Sequence, residues 1–178
     1  MSQPPEEERQ AWRKVLLLLR IRPRSEEELR LALTRADFEV SVIESTLERL
    51  RDIGAVDDRV YAEQFAAERR RLKQHAPARI ERDLRSRGIS PDLARLATRG
   101  VYEDGVGDPE ARLLDEGMTL LRNRQVHYTD LRPEAAFRRM AGLLERAGYP
   151  GQVARDAVEA VIEEMAADGL LKMPQDEE

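Results

Sequence analysis

Three sets of apolar residues in this chain keep one spacing. Leu29, Leu33, Phe38 and Val42 are followed by Ile80, Leu84, Ile89 and Leu93, and then by Met140, Leu144, Tyr149 and Val153, with offsets of 4, 9 and 13 each time. Residues four apart share a helical face, and the step of five is what a turn between two helices inserts. The residue just before the third member is Asp37, Gly88 or Gly148. Glycine suits the left-handed backbone that ends a helix. A longer helical stretch precedes each pair, at about 9–21, 57–74 and 109–125. Spacing, turn residues and preceding helices together predict an all-α chain of tandem three-helix repeats, each packed mainly on its neighbours.

Local signals set the boundaries. The expected organisation is a flexible N-terminus over 1–8, repeats over 9–54, 55–104 and 108–170, and an acidic flexible tail over 171–178. The first helix carries Trp12, Val15, Leu16 and Leu19 as its expected buried stripe. Ser25 with Glu28 has the spacing of a capping box, in which each residue satisfies a free N–H of the helix start. Asp57 and Asp58 stand where carboxylates favour the beginning of a long helix, with Tyr61 and Phe65 on its apolar face. Pro77, Ser90–Pro91 and Asp108–Pro109 are further helix starts, the last after the flexible Gly105–Gly107. A loop over 126–132 lengthens the third repeat.

Charge is distributed unevenly. The total is −5, yet residues 66–99 hold ten basic residues against four acidic ones. Residues 156–178 hold eight acids and one lysine. The middle of the chain therefore presents a candidate partner-binding face of Arg69, Arg70, Arg71, Lys73, Arg79, Arg82, Arg85 and Arg87. On the second helix of that repeat, Ile80 and Leu84 share one side and Arg82 projects almost opposite them. Charged residues are 37% of the chain and aromatics 4%, so each small core must be built of Leu, Val, Ile and Ala. There is no cysteine, hence no disulfide and no thiolate metal site. The longest apolar run, Val15–Leu19, is too short to span a membrane and has no cleavage site after it, so a cytoplasmic protein is expected.

Catalytic chemistry needs a constellation, and none can be assembled. His75 and His127 are 52 residues apart with no ligand pattern around either. Gly105–Gly107 leads into Asp108–Pro109 and matches neither a P-loop nor a dinucleotide fingerprint. No cofactor or metal is expected, and the chain reads as a binding protein.

The order of motifs resembles the RecX family, regulators of the bacterial RecA recombinase. The resemblance runs from about Arg13 to Glu164 and is carried by RPRSEEELRLAL at 22–33, IESTLERLRDIGAVDDRVYAEQF at 43–65, RIERDLRSRGIS at 79–90 and FRRMAGLLERAGYPGQVARDAV at 137–158. It implies three-helix repeats forming a curved, elongated monomer. It also implies binding to the RecA filament, with a single-stranded DNA contact inside it, and lowered ATP hydrolysis and strand exchange in homologous recombination, DNA repair and the SOS response. Where the family usually has a basic residue followed by glycine, this chain reads Lys73–Gln74–His75–Ala76–Pro77.

A second reading comes from the first repeat alone. Residues 25–35 and 39–53 could form a helix-turn-helix with 53–61 as the wing, making the chain a DNA-binding transcriptional regulator. Against it, the recognition helix would carry Glu44, Glu48 and Asp52 against Arg49 and Arg51, a poor surface for approaching phosphates.

Overall fold

The computed structural model describes residues 6–103 and 107–172. Among the described residues nine α-helices follow one another: α1 (Glu6–Ile21), α2 (Glu26–Thr34), α3 (Val40–Asp52), α4 (Asp58–Lys73), α5 (Pro77–Arg85), α6 (Pro91–Glu103), α7 (Pro109–Arg122), α8 (Pro133–Ala147) and α9 (Gly151–Ala167), with one 3-10 turn at Gln125–His127. No strand occurs among the described residues, and residues 53–61, the wing of the second reading, are instead a turn running into α4. None of the helices is long and apolar enough to cross a membrane. The helical class is as the apolar spacing predicts; the second helix is short in the first two repeats, at 9 residues each, whereas in the third α8 has 15 residues and is no shorter than the 14-residue α7 before it. The first two members of every set, Leu29 and Leu33, Ile80 and Leu84, Met140 and Leu144, are fully buried.

The residues form two compact units. The first comprises the chain up to Ala67 together with Glu81–Thr98; the second comprises Glu68–Ile80 together with Arg99 onward. In the first unit Ala11, Val15, Leu29, Leu33, Ile43, Leu47 and Leu50 make a core closed by Val56. Leu16, expected on the buried stripe of α1, is 41% exposed. The stripe runs through Ala11, Val15, Leu18 and Leu19, the 0, 4, 7, 8 progression of a helical face, and Arg49 covers the Trp12 ring at 4.3 Å. The capping box forms as its spacing predicts: the Glu28 N–H donates to Ser25 Oγ at 3.2 Å and the Ser25 N–H donates to Glu28 Oε2 at 3.3 Å. In the second unit the core is built on α7, α8 and α9, with Leu121, Met140, Leu144, Val158 and Met165 at its centre.

Two boundaries differ from expectation. α1 begins at Glu6, because Glu6, Glu7 and Glu8 occupy the first turn, where carboxylates meet the positive end of the helix dipole. At the other end Leu171 is buried in the core and the Lys172 N–H donates to the Leu131 carbonyl at 2.9 Å, so the third repeat runs two residues beyond its expected end. Residues 1–5 and 173–178, and most of the glycine-rich segment at 105–107, lie outside the described residues.

The same packing device occurs once in each unit. In the first, Ser25 Oγ donates to the Arg87 carbonyl at 2.6 Å, and a Cβ on Gly88 would fall 2.2 Å from Glu27 Cβ. In the second, the Ala76 N–H donates to the Ala147 carbonyl at 2.9 Å, and a Cβ on Gly148 would fall 2.6 Å from Arg79 Cβ and 2.7 Å from its backbone nitrogen. Ser25 and Ala76 each stand four residues before the first apolar member of their own set; Arg87 and Ala147 each precede the turn glycine of the next. The start of one repeat's second helix is thus pressed against the following repeat's turn. Both glycines are left-handed, at φ +84° and +88°, and both are also needed for this approach. Asp37, the matching residue of the first repeat, is likewise left-handed at φ +58° but exposed, so a side chain is accommodated there.

Candidate functional site

The basic residues singled out by their clustering fall in both units, and their surroundings separate them into two kinds. The cations at 69, 70, 71 and 73 sit on the last turns of α4, where a step of 100° per residue points neighbours in different directions. Arg70 turns inward. Its Nη2 and Nε donate to Glu116 Oε1 at 2.5 and 3.1 Å, its Nη1 donates to the Val101 carbonyl at 2.5 Å, and its guanidinium lies 4.4 Å from the centre of the Tyr102 ring. With 28% and 25% exposure, Arg70 and Glu116 form a half-buried pair that ties α4 to α7. Arg69 is half-buried as well, whereas Arg71 and Lys73 are exposed.

The turn after α4 explains how this chain manages without the family's usual glycine. Gln74 adopts φ +51°, the left-handed conformation that a glycine would take at no cost. Two tyrosines hold it there. The Tyr149 hydroxyl donates to the Gln74 carbonyl at 3.1 Å and the Tyr102 hydroxyl donates to the His75 carbonyl at 2.5 Å. Burial pushes both hydroxyls well above the usual tyrosine range, so each remains a neutral donor. Arg79, in the first turn of α5, is half-buried and donates from Nη1 to the Arg146 carbonyl at 3.2 Å.

In the first unit Arg82 and Arg85 are exposed on α5, away from the buried Leu84. Arg87 is committed inside the fold: Nη1 donates to Glu28 Oε1 at 2.8 Å and the guanidinium covers the Phe65 ring at 4.9 Å. Arg22 reaches the same carboxylate with bonds of 2.8 and 3.0 Å, and the Tyr61 hydroxyl donates to it at 3.4 Å. Burial would raise the Glu28 carboxyl, but the Arg22 guanidinium, the Ser25 N–H and the Arg87 charge outweigh it and hold the group below the usual carboxylate range. Tyr61 and Phe65 stack with ring centres 6.0 Å apart, buried as the α4 pattern predicts.

Of the eight residues, four are outward cations (Arg71 and Lys73 in the second unit, Arg82 and Arg85 in the first) and two, Arg70 and Arg87, brace the fold. The sequence run gave no sign of that division. Nor did it point to Arg124, Arg138, Arg139 and Arg146, which the second unit gathers around one hollow although they are spread over 23 positions.

The chain is similar to known proteins over most of its length. Residues 11–50 match the family model of the first three-helix domain of RecX, and residues 57–97 match that of the second. A regulatory protein RecX from Thermobifida fusca (strain YX) is 32% identical over 164 residues, covering 92% of this chain and 83% of that protein. One from Amycolatopsis mediterranei (strain U-32) is 29% identical over 169 residues, covering 94% and 93%. The crystal structure of RecX from Lactobacillus salivarius shares the fold with a TM-score of 0.63 at 19% identity, over 91% of this chain and 98% of that one. With a full-length relative above 30% identity and two domain matches in the right order, the chain belongs to the RecX family of regulatory proteins.

Proposed function

We propose that this protein is a negative regulator of the RecA recombinase. In this reading it binds the RecA filament on single-stranded DNA, blocks its extension or destabilises it, and so lowers ATP hydrolysis and strand exchange. Membership of the RecX family supports the reading at the level of a regulator with a RecA-related partner. The observation that carries the finer statement is the outward display of Arg82 and Arg85 on a chain whose net charge is −5. Both residues leave α5 on the side away from buried apolar residues and are engaged by no carboxylate among the described residues. An acidic protein gains little by coating bare DNA, because the long-range field opposes it. Local cations can still engage a composite surface of protein and phosphate. Arg71 and Lys73 extend the same chemistry from the end of α4, and Arg69 and Arg79 contribute field from half-buried positions.

The test is the DNA-dependent ATPase of the cognate recombinase, measured with and without this protein. The reading expects hydrolysis to fall with increasing protein, and to fall much less with an Arg82→Glu/Arg85→Glu variant. Unchanged hydrolysis across the titration would refute it.

A further inference from the structure

At the start of α8 the second unit has an apolar hollow of about 450 Å³, lined by Pro133, Glu134, Phe137 and Arg138 of α8 and by Ile162 of α9. Phe137 and Ile162 pack on the core of the unit but stay partly exposed. Apolar surface left open in a groove favours a cover. The outer edge is cationic. Arg138 and Arg139 are exposed and form no ion pair among the described residues. Glu134 stands four residues before Arg138 without pairing to it.

The backbone shows where the chain leads. Beyond α9 it runs beside residues 130–131: the Asp130 N–H donates to the Leu170 carbonyl and the Lys172 N–H donates to the Leu131 carbonyl, both at 2.9 Å. The two bonds advance in the same direction along both segments, so the path past Lys172 heads towards Arg132 and Pro133, the near wall of the hollow. Leu171 is buried in the core and Lys172 is exposed. Side chains of an extended chain alternate, which turns position 173 back to the apolar side. That position is Met173, and the proline after it favours extended backbone there. Methionine is unbranched and adapts to irregular apolar gaps. Asp176, Glu177 and Glu178 follow. At up to about 3.5 Å per residue they reach roughly 14–21 Å past Lys172. Arg138 and Arg139 lie only about 8–9 Å along α8 from Pro133.

We propose that the segment over 173–178 is the occupant of this hollow. Met173 covers Phe137 and Ile162, and the carboxylates of Asp176, Glu177 and Glu178 lie over Arg138 and Arg139. The segment is apolar at its near end and acidic at its far end, in the order of the surface it meets. Its tether holds it at an effective concentration on the order of millimolar, so a small contact suffices. Docked there, it covers part of the cationic face of α8 and screens that face in the free protein. The inference does not rest on the filament reading and is tested with no recombinase present.

The experiment is NMR on the full chain. Backbone amide relaxation gives order parameters for Gln175, Asp176 and Glu177, and a methyl spectrum reports Ile162. In the wild type the three amides should have order parameters above about 0.6, the upper limit for flexible backbone. Met173→Ser removes the apolar anchor, and Arg138→Ala/Arg139→Ala removes the cations. Each should bring the three values below about 0.6. Met173→Ser should also shift the Ile162 methyl signal while leaving that of Ile43, in the first unit, in place. Arg13→Ala/Arg20→Ala removes the same charge from exposed positions on α1 and should change none of these readings. Circular dichroism checks that the arginine variants are folded, and Met173→Ser lies beyond α9, so the test stands even where the alanines unsettle α8. Low order parameters in the wild type, values that either variant leaves unmoved, or an unshifted Ile162 signal would each overturn the proposal. Order lost on dilution would overturn it too, since a second copy of the chain would then be the occupant.

Discussion

Gly148→Ala should be far more costly than an alanine placed at another left-handed glycine of the same unit. Two terms act at Gly148. Its φ of +88° costs an L-residue about 1–2 kcal/mol. The added Cβ would also lie 2.6 Å from Arg79 Cβ, 2.7 Å from its nitrogen and 3.1 Å from its Cα. These atoms belong to the backbone and root of the first turn of α5, so relief requires moving a helix, and overpacking of this kind costs a further 1–3 kcal/mol or so. Gly169 has φ +68° and nothing within 4 Å of the same ideal Cβ, so only the first term applies. The expected totals are about 2–5 kcal/mol for Gly148→Ala and about 1–2 kcal/mol for Gly169→Ala. At about 2–4 °C per kcal/mol for a chain of this size, Gly148→Ala should lower the melting temperature by roughly 4–20 °C. Urea denaturation followed by circular dichroism gives both values, and the comparison does not require the two units to unfold together. Equal costs would show that α5 does not press on the Gly148 turn and would refute the reasoning.

Replacing Arg70 with Met keeps an apolar stem but removes the guanidinium that lies over Tyr102 and leaves Glu116 half-buried without its partner; a loss of about 2–3 kcal/mol in denaturant titration is expected. Glu28→Gln should destabilise by about 2 kcal/mol at neutral pH, since it weakens the bonds from Arg22 and Arg87. The folded-state carboxyl is held below its unfolded value of about 4.3, so the wild-type advantage is complete above that pH and disappears as pH falls through the folded value; melting curves of the two proteins should therefore converge in acid. Arg82→Glu/Arg85→Glu should change stability by no more than about 0.5 kcal/mol while impairing inhibition of the recombinase, whereas adding Arg79→Glu should cost stability too, because Arg79 donates to the Arg146 carbonyl and abuts Gly148. Thermal melts of the double and triple variants separate these effects.

Much of the helical plan could be read from local chemistry. The Ser25–Glu28 box, the Asp108–Pro109 start and the left-handed Gly88 and Gly148 each form within a few residues, so their residue types report them directly. The turn at Gln74 was not legible, because a residue without glycine's freedom is held there by hydroxyls arriving from Tyr102 and Tyr149, the latter 75 positions away. The second role of the turn glycines was hidden for the same reason: what a Cβ would strike belongs to the preceding repeat. Among the candidate cations, sequence could mark charge but not commitment. Arg70 and Arg87 look like their neighbours until Glu116, Tyr102, Glu28 and Phe65 are brought against them. The hollow of Arg124, Arg138, Arg139 and Arg146 forms no run, and only the meeting of α8 with the 3-10 turn assembles it.

The central claim is that this chain recognises a recombinase-coated strand in preference to either component alone. The most direct measurement is its affinity, in one buffer at physiological salt, for the RecA filament on single-stranded DNA, for bare single-stranded DNA and for free recombinase. The account predicts the tightest binding to the filament, with bare DNA weaker because the net charge of −5 opposes it. Comparable or tighter binding to bare DNA would contradict it.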